Sequence, residues 1–131
     1  MSKRNNFTGV NNRVNARGVA FIKSRKSIDN GKTILNDMDS MANDNGISLT
    51  RAYHDASYSL DYDRRELNDF FEMIDSECAQ VVVVRSLNEI TDNVSDLEKF
   101  ILTLVAKEVA VYCIVIGPVP VTISHAEDYV C

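Results

Sequence analysis

The stretch Gln80–Asn93, QVVVVRSLNEITDN, decides the fold. Four consecutive valines bounded by Gln80 and Arg85 have the length and β-branched character of a strand. A run that is apolar at every position buries both of its faces, which is the situation of a central strand in a parallel sheet.

Outward from it, strand-like runs alternate with apolar residues at helical spacing. Toward the N-terminus, Val19–Ser24 reads as a first strand, with Arg25 and Lys26 just past its carboxyl end. A helix follows whose inward positions are Ile34, Leu35, Met38, Met41 and Ala42, and Gly46 supplies the left-handed residue that closes it. Ile47–Tyr53 reads as a second strand turning Ile47, Leu49 and Tyr53 inward. After a polar loop, Asp63 with Glu66 three residues later opens a second helix, buried through Leu67, Phe70, Phe71 and Ile74. Toward the C-terminus, Asn93 or Thr91 caps a third helix with a stripe of Leu97, Ile101, Leu104 and Val105. Val109–Ile116 is a fourth strand, stopped by Gly117, Pro118 and Pro120, and Val121–Ser124 could add a short edge strand.

This alternation predicts an α/β fold, a three-layer sandwich around a mainly parallel four- or five-stranded sheet. Ligands in such sheets lie at the carboxyl ends of the strands. Three loops meet there: Lys23–Lys32, His54–Tyr62 and Arg85–Asn93.

At 131 residues and 45% apolar content, the chain has material for one core. The expected layout is a disordered basic arm over 1–17 and one domain over 18–131. No apolar run nears the roughly 18 to 20 residues that span a bilayer. The opening MSKRNNFTGVNNR has no apolar core of a secretory signal, so a soluble, cytoplasmic protein is expected. Cys78, Cys113 and Cys131 lack metal or pairing patterns and are read as free thiols, with Cys113 in the core. Neither His54 nor His125 has a second ligand at metal spacing, so no metal and no cofactor are expected.

The net charge of −5 is unevenly spread. Residues 1–32 hold eight Lys and Arg against Asp29 alone, a local +7, and the other 99 hold six against eighteen, a local −12. A polyanion such as DNA would therefore meet the first quarter of the chain, although such an arm can equally serve solubility alone.

Gly31-Lys32-Thr33 lies between a strand and a helix, as the end of a P-loop would, but Lys26 stands where the first glycine is required. The valine strand also ends in Arg85 rather than a magnesium-holding acid. A phospho-accepting receiver domain fails for the same reason, since cations occupy the strand ends where acids would hold magnesium. No GxGxxG is present for a dinucleotide.

From about Val19 to Ile116 the chain resembles the catalytic domain of the serine recombinases, the resolvase and invertase family. Phe21-Ile22-Lys23-Ser24-Arg25 is similar to the family's opening Y-x-R-V-S. Asp55, the loop ASYSLDY and Asp63-Arg64-Arg65-Glu66-Leu67 resemble its second strand end, Ser-rich loop and arginine. Arg85-Ser86-Leu87-Asn88-Glu89-Ile90-Thr91-Asp92 aligns with Lys/Arg-x-Leu-Asp-Arg-Leu-x-Arg. The resemblance implies a serine hydroxyl that attacks a DNA phosphodiester while arginines neutralise the transition state, chemistry that needs a nucleophile beside bidentate guanidiniums.

At the decisive positions this chain departs. Arg25 takes the nucleophile's place and Lys23 the place of the arginine two residues earlier. Asn88, Glu89 and Asp92 replace the Asp-Arg and the following Arg, so that of the phosphate-contacting arginines only Arg64 remains. Losing one preorganised electrostatic group commonly costs roughly 10² to 10³ in rate. The expectation is a resolvase/invertase-type domain without catalytic activity, in which Lys23, Arg25, Lys26, Lys32 and Arg64 form a weak phosphate- or DNA-binding cluster. Two alternatives stay open: an active recombinase using Ser24 or Ser27, and a protein-interaction module without DNA contact, its partner a recombinase or another protein. The family continues into a long dimerisation helix and a DNA-binding segment, and neither is expected here.

Overall fold

The computed structural model describes residues 15–24, 28–115 and 117–119, with the backbone alone at 28–31 and 118. Along the chain run β1 (Ala16–Lys23), α1 (Ile28–Asp44), β2 (Ile47–Asp55), α2 (Arg65–Ser76), β3 (Val81–Val84), a 3-10 turn (Leu87–Glu89), α3 (Val94–Ala106), β4 (Ala110–Cys113) and β5 (Gly117–Pro118). The sheet order is β2-β1-β3-β4-β5. The first four strands are parallel, and β5 runs antiparallel to β4.

The valine run lies in the middle of this sheet, as its uniform apolarity requires. Val82 and Val84 face the layer of α2 and α3 among Phe21, Leu67, Phe70, Phe100, Ile101 and Leu104. Val83 faces the α1 layer with Ala20, Ile22, Met38 and Ala42. These three valines are fully buried. The predicted three-layer α/β sandwich is the architecture observed.

Local departures from the sequence reading have physical causes. The first strand begins at Ala16 rather than Val19, because Ala16 and Arg17 pair with Ile47 and Ser48, so the expected arm boundary at residue 17 falls inside β1. Met41 is 43% exposed, while Met38 and Ala42 carry the buried stripe of α1. Asp63 does not cap α2. Arg64 occupies that position with an extended backbone and no side-chain cap bond, since its guanidinium is engaged elsewhere. Asn93 is the residue that caps α3, its Oδ1 accepting the Asp96 N–H at 2.9 Å. The last parallel strand is only four residues long, and Gly117, with φ +90°, turns the chain back into β5. The edge strand expected over Val121–Ser124 lies outside the described residues, as do residues 1–14.

The largest departure is in β2, where the register against β1 steps between Gly18 and Val19. Gly18 faces Leu49, but Val19 faces Arg51, so Thr50 is an extra, bulged residue. Strand side chains alternate between faces, and one inserted residue reverses the alternation beyond it. Ile47, Leu49 and Ala52 accordingly pack in the α1 layer, whereas Tyr53 packs in the opposite layer against Phe21 and Phe70. The three inward residues predicted for this strand therefore serve two different cores. Gly18 sits beside the bulge because nothing larger fits: a Cβ there would lie 2.6 Å from Ile47 Cγ2.

Cys78 is a free, exposed thiol, as expected. Cys113 is buried but disulfide-bonded, which corrects its reading as a free thiol. Among the described residues, no helix is long and apolar enough to cross a membrane, and no group of three or more His, Cys, Asp or Glu could hold a metal ion.

Candidate active site

In the order β2-β1-β3, the connections leave β1 and β3 in opposite directions, so the carboxyl ends of these two strands flank the crevice where open α/β sheets bind ligands. The residues at that end are Lys23 and Ser24 after β1, Asp55 to Asp63 after β2, and Arg85 to Asn93 after β3. Asp55 is their centre. It is fully buried, and the bulge at Thr50 brings it round to the face that Lys23 shares with Val19 and Phe21.

Four donors converge on the Asp55 carboxylate. Oδ1 accepts the Ser57 backbone N–H at 2.8 Å and the Ser57 hydroxyl at 2.7 Å. Oδ2 accepts Arg64 Nε–H at 3.0 Å and Lys23 Nζ at 3.3 Å. Burial alone would raise its pKa; the two Ser57 hydrogen bonds and the charges of Lys23 and Arg64 outweigh that and hold it below the ordinary carboxylate value. Lys23 Nζ also donates to the Ser57 carbonyl at 2.8 Å and approaches Ser57 Oγ at 3.3 Å.

Arg64 is 6% exposed and works as a tie between two loops. Besides Asp55, its Nη1 donates to the carbonyls of Asp61 and Ile90, each at 2.7 Å, and its Nη2 donates to that of Glu89 at 3.2 Å. The guanidinium also lies 5.9 Å from the centre of the Phe21 ring. A guanidinium has five N–H donors, and these bonds occupy four, which leaves no two-pronged fork for an incoming phosphate.

Across the crevice, Arg85 Nη2 donates to the Lys23 carbonyl at 2.8 Å and meets Glu89 Oε2 at 2.7 Å. Glu89 Oε1 accepts the Lys23 backbone N–H at 3.3 Å. The Nε of Arg85 is buried without a hydrogen-bond partner. One carboxylate thus bridges the ends of β1 and β3, held by one backbone amide and one guanidinium.

The predicted cluster is only partly assembled. Lys23 and Arg64 are brought together, but by Asp55, and both are inward-facing. Lys32 is exposed on α1. Arg25, Lys26 and Ser27 lie outside the described residues. Ser24 continues the strand pairing, its N–H donating to the Asp55 carbonyl at 3.1 Å, so the alternation of β1 extends to it. Its place in that alternation is with Ala20 and Ile22 on the α1 side, opposite Lys23. Its carbonyl is engaged by His54 Nε2 at 2.8 Å.

The sequence reading places Asp55, Ser57, Arg85 and Glu89 in loops at the ligand end, and Glu89 where the family has an arginine, but names none of the four as a binding residue. A signal existed for the last two, whose i, i+4 spacing opens a turn straight after a strand. The convergence on Asp55 depends on the bulge, which leaves no mark in the apolar pattern. Next to this site, Leu60, Asp61, Tyr62, Asp63, Thr91, Asp92, Asn93 and Asp96 line a groove of about 450 Å³ with four carboxylates and no cation among its lining residues.

Comparison with known proteins bears on the fold and the family. No curated protein matches the chain by sequence. Among solved structures it is similar to the N-terminal catalytic domain of TP901-1 integrase, with TM-score 0.63 and 17% identity over 77% of this chain and 78% of that one. It is also similar to the C-terminal catalytic domain of ISC1926 TnpA, an IS607-like serine recombinase, with TM-score 0.63 and 16% identity over 75% and 68%. A resolvase family site-specific recombinase from Streptococcus pneumoniae gives TM-score 0.58 and 21% identity over 78% and 74%. At these identities the neighbours speak for the fold, and the family rests on a separate match, that of the resolvase N-terminal domain model to residues 13–126. With that match spanning most of its length, the chain belongs to the resolvase N-terminal domain family, the serine recombinase type of catalytic domain.

Proposed function

We propose that this domain keeps the recombinase scaffold without its DNA-cleaving chemistry, and that it meets polyanions weakly through the basic first quarter of its chain. The observation that carries the reading is internal pairing: the crevice cations Lys23, Arg64 and Arg85 are each engaged by Asp55 or Glu89, two carboxylates against three cations. Glu89 stands where the family resemblance calls for an arginine. Exchanging a guanidinium for a carboxylate alters the charge facing a bound phosphate by two units. Each unit about 6 Å away is worth roughly 3 kcal/mol at an effective dielectric near 20, and less where solvent reaches it. Arg25 at the nucleophile's position and Ser24 on the opposite side of β1 support the same reading.

Weak DNA contact then falls to the exposed basic residues, Lys32 among them, with Arg25 and Lys26 as further candidates. The test is incubation with supercoiled and short duplex DNA, denaturation, and inspection for a covalent protein–DNA adduct. No adduct is expected. Retention on duplex DNA at about 50 mM salt should be lost well before about 200 mM, as a few phosphate contacts require. An adduct abolished by Ser24→Ala or Ser27→Ala would overturn the reading in favour of an active enzyme.

A second reading, a protein-interaction module, is favoured by one specific feature. The acidic groove at Asp61, Asp63, Asp92 and Asp96 opens at the same end of the sheet and repels DNA from it. Proteins recovered with the chain after nuclease treatment, and lost when Asp92 and Asp96 are replaced by Asn, would support it.

A further inference from the structure

We infer that Glu89 acts as a built-in anion, occupying a site that takes a free tetrahedral oxyanion once the carboxylate is removed. The inference rests on the reading of the crevice as recombinase-derived and non-cleaving, and deepens it.

Glu89 is held as an external anion would be. One oxygen receives a backbone N–H from the end of β1, at 3.3 Å from Lys23 N. The other receives the Arg85 guanidinium from the end of β3, at 2.7 Å. Arg85 cannot leave easily, because its Nη2 is also fixed to the Lys23 carbonyl at 2.8 Å. Its Nε adds a buried donor with no partner. Side-chain exposures of 34% for Arg85 and 19% for Glu89 put the pair at the mouth of the crevice, within reach of solutes. The donors therefore belong to strand ends and a pinned side chain, whereas the acceptor hangs on a short 3-10 turn. Taking away the acceptor leaves a guanidinium and an amide aimed at one point, where sulfate or phosphate carries the same kind of oxygen. Lys23 and Arg64 would remain paired with Asp55 and facing inward, so Arg85 carries the new affinity.

The experiment titrates inorganic sulfate into the full chain and into Glu89→Gln, following the Arg85 Nε–H and Lys23 N–H signals by NMR. A loss of one negative charge beside the anion should tighten sulfate binding by roughly 10- to 100-fold over wild type. Adding Arg85→Gln to Glu89→Gln should abolish the gain. A parallel titration with a short DNA duplex identifies the source of the oxyanion: a gain shared by sulfate and duplex points to nucleic acid phosphate, a gain for sulfate alone to a free anion, and both support the site. Sulfate bound no tighter by either Glu89→Gln or Glu89→Ala, or a gain that survives Arg85→Gln, would overturn it. Glu89→Ala also takes away the acceptor and the volume that Gln retains, and is the full removal; failure of both variants to fold would also overturn it, since the carboxylate would then be a strut rather than an occupant. A covalent DNA adduct in the wild type would instead refute the non-cleaving reading, a separate result in a separate assay.

Discussion

Replacing Asp55 by Asn removes one charge and no volume, and its cost follows from the four hydrogen bonds that the carboxylate accepts. An amide has one acceptor oxygen. If that oxygen stays with Ser57, the new NH₂ faces Lys23 Nζ and Arg64 Nε, donors against donors. If it flips, the NH₂ faces the Ser57 N–H instead. In the first arrangement two of the four bonds are lost; in the second the Ser57 N–H bond is lost while the Ser57 hydroxyl can turn to accept. Either way Arg64, with a side chain 4% exposed, keeps a buried charge without a counterion. Removing one partner of a buried pair costs about 3 to 5 kcal/mol. A domain of this size has roughly 5 to 15 kcal/mol in total, so Asp55→Asn should lose about a fifth or more of it. In urea melts, with a slope of about 1 to 3 kcal/mol per molar, the midpoint should fall by roughly 1 to 5 M. Asp69→Asn is the control, because Asp69 is 38% exposed and pairs with Arg65 at the surface, where about 1 kcal/mol or less is at stake, and the bond its carboxylate accepts from the Tyr53 hydroxyl can pass to the amide oxygen. A loss for Asp55→Asn no larger than for Asp69→Asn would refute the idea that the Asp55 network holds the strand ends together.

Acid should reveal the same group in the wild type. Because the folded pKa of Asp55 is lowered, its contribution is present above the unfolded value near 3.8 and is lost as pH falls through the folded value; urea midpoints across that range should drop in the wild type and flatten in Asp55→Asn. Gly18→Ala should destabilise by roughly 1 to 3 kcal/mol, since its Cβ would lie 2.6 Å from the branched Ile47 Cγ2 and 3.2 Å from Leu49 Cδ2, and an unchanged melting curve would rule out the tight fit. Asn93→Ala should cost about 1 kcal/mol in the same melts through loss of the α3 cap, with no change in sulfate binding.

What could be read from the sequence divides along physical lines. The valine strand was legible because burial on both faces leaves a one-dimensional signature, and the helices were legible because Leu67, Phe70 and Ile74 or Leu97, Ile101 and Leu104 repeat at the helical period. The family was legible because Lys23, Asp55, Arg64 and Arg85 sit at ends of elements, where spacing along the chain fixes position in space. What was hidden lies where two segments distant in sequence meet. The cap of α2 was misplaced onto Asp63, because a surface rule cannot anticipate that Arg64 is drawn inward by Asp61, Glu89 and Ile90 carbonyls. The phosphate-binding role expected for Arg64 rests on the family resemblance, and only the structure reveals how many of its donors are spent inside. The two-sided burial of β2 was missed because Thr50 is an ordinary strand residue whose extra length shows only against β1.

That additional residue has a consequence for what this scaffold can tolerate. Which way a strand residue points is a matter of odd or even count, so the pocket depends on how many residues separate Ile47 from Asp55, beyond which residues they are. A β2 shortened by Thr50 would keep every side chain of the pocket yet swing the Asp55 carboxylate beneath α1, stranding Lys23 and Arg64 on the far side of the sheet. A change of amino-acid type at one position leaves the frame standing; a change of one in length between those two positions would dismantle it.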